Sequence, residues 1–284
     1  GPSFYRFKLG EFEVTALHEG EFTRPLDDKF IRNVPFADVQ KFLSTNLMPT
    51  DKITISFTAL LVNTGSQLVL LDTGFNDNGG ATNGKVVAAL KAAGVEPAQI
   101  DKVVISHFHA DHISGIRAKN GQAIYPNAEI LVPEPEWAFW MDDARMNAAP
   151  EAARAGFMGA RRVFSPVADK VKRFKWGEEI ITGITAVDAS GHTPGHTAFV
   201  LASGNQKLMY VADTTNNPLI FAANPDWQLM FDMDADKAVA TRKRLLDMAT
   251  ADKLQLSFYH ASFPATGFVA KESNGYRFLP VQWS

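Results

Sequence analysis

The chain has 284 residues, 46% of them hydrophobic, with 28 basic and 31 acidic side chains and no cysteine. That length and apolar content suffice for one full core, read as a single domain over 1–284, and a net charge of −3 without a Lys/Arg stripe argues against a nucleic-acid partner. With no cysteine there is no disulfide and no thiolate nucleophile, and a metal would have to be held by nitrogen and oxygen.

In chain order, FYRFKL (4–9), EFEVTAL (11–17), ITISFTALLV (53–62) and QLVLLD (67–72) are β-type runs, the last two joined by a hairpin turn at NTGS. Residues 20–52 read as irregular apart from one short helix in FADVQKFL. KVVAALKAAG (85–94) is an amphipathic helix stopped by Gly94, and DKVVIS (101–106) a buried strand. Strand AEILV (128–132), a Pro-opened helix around 135–141 and an Ala-rich helix near 147–160 follow. Then come strands KVKRFK, EEIITG and ITAVDA, the hairpin TAFVLASGNQKLMYVAD, a helix over 234–249 and strand LQLSFYH. Strands with helices packed outside them make a layered α/β chain. No apolar run approaches the roughly 18–20 residues of a membrane helix, so no membrane partner is expected. The opening Gly-Pro-Ser reads as a trimmed tag remnant. The compartment therefore stays open between cytoplasm and periplasm or secretion, for a chain expected to be soluble.

The stretch SHFHADHISG (106–115) holds three of the seven histidines. It follows a buried strand, where α/β sheets collect functional groups. Alternate residues of extended chain point the same way, so His107 and His109 can share one ion. Asp111 and His112 fall in the next turn and can face a second ion about 3.5 Å away. SGHTPGHTAF places His192 in a tight turn past another strand, YVAD ends a strand at Asp213, and LSFYH ends one at His260.

His-x-His-x-Asp-His, the later Gly-His-Thr-Pro-Gly-His, then Asp, then His together resemble the metallo-β-lactamase superfamily. YRFKLGEFEVTALHEG, LVNTGSQLVLLDTG, LKAAG, HASFP and GYRFLPV resemble its methyl parathion hydrolase-like and lactonase-like subgroup. The resemblance implies a four-layer αββα sandwich of two similar halves. It implies two divalent ions, zinc foremost with manganese, cobalt or iron as alternatives. His107, His109 and His192 would hold the first, Asp111, His112 and His260 the second, with Asp213 bridging. Asp111 and Asp213 are the implied catalytic carboxylates. Asp72 and His196 would support the site from behind, and His18 would have no role.

The implied reaction is metal-assisted hydrolysis of an ester-like bond in a small molecule, by an enzyme expected to be a homodimer. The implied pocket comprises Phe75, Gly79, Trp140, Phe157, Asn216 and Phe231. Gly79 and Asn216 stand where organophosphate-hydrolysing relatives carry apolar bulk, which implies a more open, more polar pocket. A lactonase or carboxylesterase with organophosphate side activity is therefore expected, and a phosphotriesterase is the alternative. A β-lactamase and a non-catalytic metal-binding module fit less well.

Overall fold

The N-terminal alternation of apolar and polar residues folds as a hairpin: β1 (Phe4–Leu9) pairs antiparallel with β2 (Phe12–Pro25). The computed structural model describes residues 1–282. β2 continues well past the predicted end and corrects the expectation that the chain is irregular from residue 20. It pairs with β3 (Lys52–Asn63) along its whole length, through a register shift between His18 and Gly20. Glu19 is the unpaired residue of that bulge and is fully buried. A strand that changes register breaks the period-two pattern, so the sequence hides its second half. The connection from β2 to β3 carries α1 (Phe36–Thr45).

β4 (Leu68–Leu71) closes an antiparallel run. α2 (Val86–Ala92) then crosses over to β5 (Lys102–Val104), which lies parallel to β4. α3 (Ala110–Ile113) is a single turn, and β6 (Glu129–Pro133) continues the parallel set. Helices α4 (Glu134–Trp140), α5 (Asp143–Ala148) and α6 (Glu151–Phe164) lead to β7 (Lys172–Phe174). The Ala-rich stretch read as one helix is therefore two. Pro150 starts α6 with extended backbone, and the ring disfavours helical geometry in the residue before it.

The second sheet holds β8 (Glu179–Ile181), β9 (Ile184–Asp188), β10 (Thr197–Ser203) and β11 (Gln206–Ala212). α7 (Pro218–Phe221) and α8 (Ala235–Ala251) cross to β12 (Gln255–Phe258), parallel to β11. A hairpin of β13 (Thr266–Glu272) and β14 (Gly275–Pro280), which the sequence pattern did not disclose, completes the sheet.

Strand order is β1-β2-β3-β4-β5-β6-β7 in one sheet and β14-β13-β12-β11-β10-β9-β8 in the other. Each half lays down four antiparallel strands and then crosses over helices to a parallel fifth. Leu208 and Tyr210 share the main core with Leu60 and Leu70 of the first sheet. The alternate residues Met209 and Val211 pack instead with Leu245, Leu246 and Ala249 of α8. Opposite faces of β11 thus meet a sheet and a helix, which gives the αββα layering. Among the described residues no helix is long and apolar enough to cross a membrane.

Candidate metal centre

The strands β4, β5, β11 and β12 all deliver polar residues to one edge of the sandwich. β5 ends at Val104, and the chain is caught two residues later. Ser106 donates from its backbone N to Asp72 Oδ1 at 2.8 Å and from Oγ to Oδ2 at 2.7 Å. Asp72 Oδ2 also receives the Tyr210 hydroxyl at 2.5 Å and lies 2.8 Å from His112 Nδ1. Asp72 sits at φ +61° and Ala212, just before Asp213, at φ +46°. Non-glycine residues rarely take this backbone region, and here it aims both carboxylates.

Two donor sets result. His107, His109, His192 and Asp213 form one, and Asp111, His112, His260 and Asp213 the other, with ligand atoms within 4.8 Å of one another in each. In the first, His192 Nε2 is 2.9 Å from His109 Nδ1 and 3.1 Å from Asp213 Oδ2, and His107 Nε2 is 3.1 Å from His109 Nδ1. In the second, His112 Nε2 is 3.2 Å from Asp111 Oδ2 and 3.1 Å from Asp213 Oδ1, and His260 Nε2 is 3.0 Å from Asp213 Oδ2. Around a tetrahedral ion with bonds of about 2.0–2.1 Å, neighbouring ligands lie about 3.3 Å apart. The spacing therefore suits divalent cations. Two atoms make the same point, since His112 Nε2 and Asp213 Oδ1 are buried without a hydrogen-bond partner. Buried polar atoms left unmet are costly, and a cation would meet both.

The far nitrogens fix the tautomers. His192 Nδ1 donates to Asp232 Oδ1 at 2.8 Å, His260 Nδ1 to the Ser56 carbonyl at 3.0 Å, and His112 Nδ1 to Asp72. His107 Nδ1 lies 3.0 Å from Ser106 Oγ, whose own proton is committed to Asp72. In its neutral form each would therefore present its lone pair at Nε2, while His109 faces its neighbours through Nδ1. Burial and the neighbouring His192 push His109 down to about 3, leaving it neutral at physiological pH. Burial also opposes charge on His192, but its bonds to Asp213 and Asp232 outweigh that and lift it to about 9. Burial would raise Asp213, yet His260, His112 and His107 hold it well below the usual carboxylate range. Cation binding here would displace the proton of His192.

Asp232 was invisible in the sequence, where FDMDADK reads as the acidic start of a helix. The fold buries it between His192 and Arg242, whose guanidinium also donates to the carbonyls of Thr214, Pro225 and Trp227. Asp232→Asn should weaken divalent-ion affinity about 10–100-fold, read by competition with a chromogenic chelator while thermal melting reports the fold. An unchanged affinity would mean that the loop alone orients His192.

His196 is buried with both nitrogens used: Nδ1 donates to the Ala189 carbonyl at 2.8 Å and Nε2 accepts the Asp213 backbone N–H at 3.0 Å. Burial holds it near 4, so it stays neutral. His18 lies away from the donor sets, half-buried against Phe263. Two buried glutamates also brace the site. Glu19 accepts the backbone N–H groups of Phe75, Gly84 and Val86, pinning the loop that flanks the site. Glu136 holds the Trp140 indole N–H and the Thr193 hydroxyl, and burial raises its carboxyl to about 7.

A cavity of about 410 Å³ opens onto the donor sets, walled by Phe22, Ile55, Phe57, Phe75 and Phe231 and reached by Asn216. Gly79, Trp140 and Phe157 do not line it. Trp140 lies behind Gly156, whose ideal Cβ would fall 2.8 Å from the indole, and Phe157 packs against Trp140 in the core with the rings tilted by 56°. Gly79 faces Asn83, whose Oδ1 would lie 2.1 Å from an added Cβ. An added Cβ at Gly79 would also lie 2.9 Å from the Cβ of Phe75, so the glycine sits behind that wall residue rather than on the cavity surface.

A two-sheet sandwich with histidines and carboxylates converging at one edge defines a class of metal-dependent hydrolases. The sequence profile of the metallo-beta-lactamase superfamily matches residues 56–260, and the chain belongs to that superfamily. An N-acyl homoserine lactonase from a Bacillus species is 24% identical over 244 residues, covering 77% of this chain and 86% of that protein. The structure of AidC, a dizinc quorum-quenching lactonase in complex with a product, N-hexanoyl-L-homoserine, superposes with a TM-score of 0.94 at 29% identity, covering 99% of this chain and 98% of AidC. The hydrolase AbOPH of the same superfamily matches with a TM-score of 0.92 at 26% identity, covering 100% of this chain and 99% of AbOPH.

Proposed function

We propose that the chain is a dinuclear, zinc-dependent lactonase that opens the ring of N-acyl homoserine-type lactones, with aryl carboxyl esters as secondary substrates. The observation that carries this reading is the pair of donor sets sharing Asp213 at the floor of an apolar cavity. Cations held there would lower the pKa of water and polarise a carbonyl oxygen. The protein's own groups do the rest. The two oxygens of Asp213 reach into both sets and fix their separation. Asp111 lines the cavity with its side chain 19% exposed against 6% for Asp213, and its backbone carbonyl is held by the Tyr259 hydroxyl at 2.5 Å. It is therefore the carboxylate placed to pass a proton to the departing alkoxide. The aromatic wall accommodates an acyl chain and keeps bulk water away from the reacting carbonyl.

The rival substrate is a phosphotriester, which needs a bulky wall around its aryl leaving group. The polar Asn216 on the wall and the buried positions of Trp140 and Phe157 argue for the lactone. With zinc-loaded protein, kcat/KM for the best N-acyl homoserine lactone should exceed that for methyl parathion at least about tenfold, roughly 1.4 kcal/mol in transition-state stabilisation. The reverse order would make it a phosphotriesterase.

A further inference from the structure

Asn216 sits three residues past Asp213, on the stretch between β11 and α7, and is only 3% exposed. Its neighbour Asn217 does what asparagine ordinarily does in such a stretch, accepting the Leu219 N–H at 3.0 Å to cap α7. Asn216 does no such thing, for its buried Oδ1 has no hydrogen-bond partner. Setting aside the candidate metal-binding residues, it is also the one polar side chain among the described residues that line the cavity. An unmet buried amide destabilises the free protein, and small-molecule sites place such sparse polar groups where they orient a ligand.

We propose that Asn216 reads the secondary amide of an N-acylated amino-lactone. A primary amide carries both a donor and acceptors, and rotating it half a turn exchanges its ends. It thus complements the N–H or the C=O of a substrate amide. Seated there, the substrate places its lactone ring over the donor sets and its acyl chain along Phe57, Phe75 and Phe231. This assignment rests on the lactonase reading and narrows it to substrates that carry an amide.

The test compares N-hexanoyl homoserine lactone with its analogue in which a methylene replaces the amide N–H, using zinc-loaded full chain. The wild-type chain should favour the amide at least about tenfold in kcat/KM, because a site built around a hydrogen bond rejects a substrate that lacks it. Asn216→Leu should bring that ratio close to one while Tm holds or rises, since an unmet acceptor is removed. Asn216→Ala, measured alongside, guards against overpacking by leucine and should shift the ratio the same way. Equal wild-type rates on the two lactones, or a ratio that neither variant moves, would overturn the role of Asn216 alone. A lower Tm with an unmoved ratio would assign Asn216 to the fold. Hydrolysis of neither lactone sinks the lactonase reading, and this one with it.

Discussion

Removing divalent ions with a strong chelator should lower kcat by more than about a thousandfold, and returning zinc should restore it, with manganese or cobalt restoring part. The reasoning starts from the donor atoms. Both sets are built from imidazoles and carboxylates, and His112 Nε2 and Asp213 Oδ1 are buried without a hydrogen-bond partner. Asp111 and Asp213, crowded at one sheet edge, would otherwise have only protons on His112, His192 and His260 to offset their charge. Ion binding to the native state alone also stabilises it, by about 4 kcal/mol when free metal is a thousandfold above Kd. Chelation should therefore lower Tm as well as rate, and the two losses should be recovered together on titrating zinc back. Elemental analysis of fully active protein should give two ions per chain. One ion or fewer at full activity would overturn the dinuclear reading, and activity that survives exhaustive chelation would overturn metal dependence itself.

What the sequence disclosed of this site follows from distance along the chain. His107, His109, Asp111 and His112 lie within six residues, so a strand and one turn suffice to relate them. Asp213 and His260 each follow closely on a strand and His192 lies in the turn after one, and their convergence follows once those strands belong to one edge. Asp232 shows the opposite case. It lies 40 residues from His192 and in a stretch whose acids suit a helix start, and Asp234 does cap α8 there through Lys237 N. Only the return of that loop beneath His192 gives Asp232 its second meaning. Glu136 is hidden in the same way, an acidic residue in the first turn of α4 that reads as solvent-facing yet lies buried against Thr193. Glu19 is lost because it sits at a bulge, where strand alternation breaks down and a carboxylate is carried into the interior. The pocket was the least legible part. The cavity lining is assembled from nine separate stretches of chain, and nothing local separates Phe75, which faces it, from Phe157, which packs in the core.

The largest single-residue effect should come from Asp213→Ala, with kcat/KM falling more than about a thousandfold, against about 10–100-fold for His196→Ala. Asp213 is the one side chain present in both donor sets, so its loss strips an oxygen from each at once. Two cations held by the remaining donors would face each other without the shared negative charge between them, and at least one should bind too weakly to persist. His196 reaches neither set with a free lone pair. Its Nε2 accepts the Asp213 N–H and its Nδ1 donates to the Ala189 carbonyl, so it steadies the backbone from which the Asp213 side chain projects. Removing it leaves that N–H and carbonyl unpaired in the core, which costs about 1–3 kcal/mol of stability for each such group. The two variants should therefore separate by measurement. Asp213→Ala should lose bound metal in equilibrium dialysis while melting close to the metal-free wild type. His196→Ala should retain both ions at saturating zinc, melt lower, and recover part of its activity as zinc is raised. A greater loss of activity and of bound metal at His196 than at Asp213 would transfer the ligand role to His196.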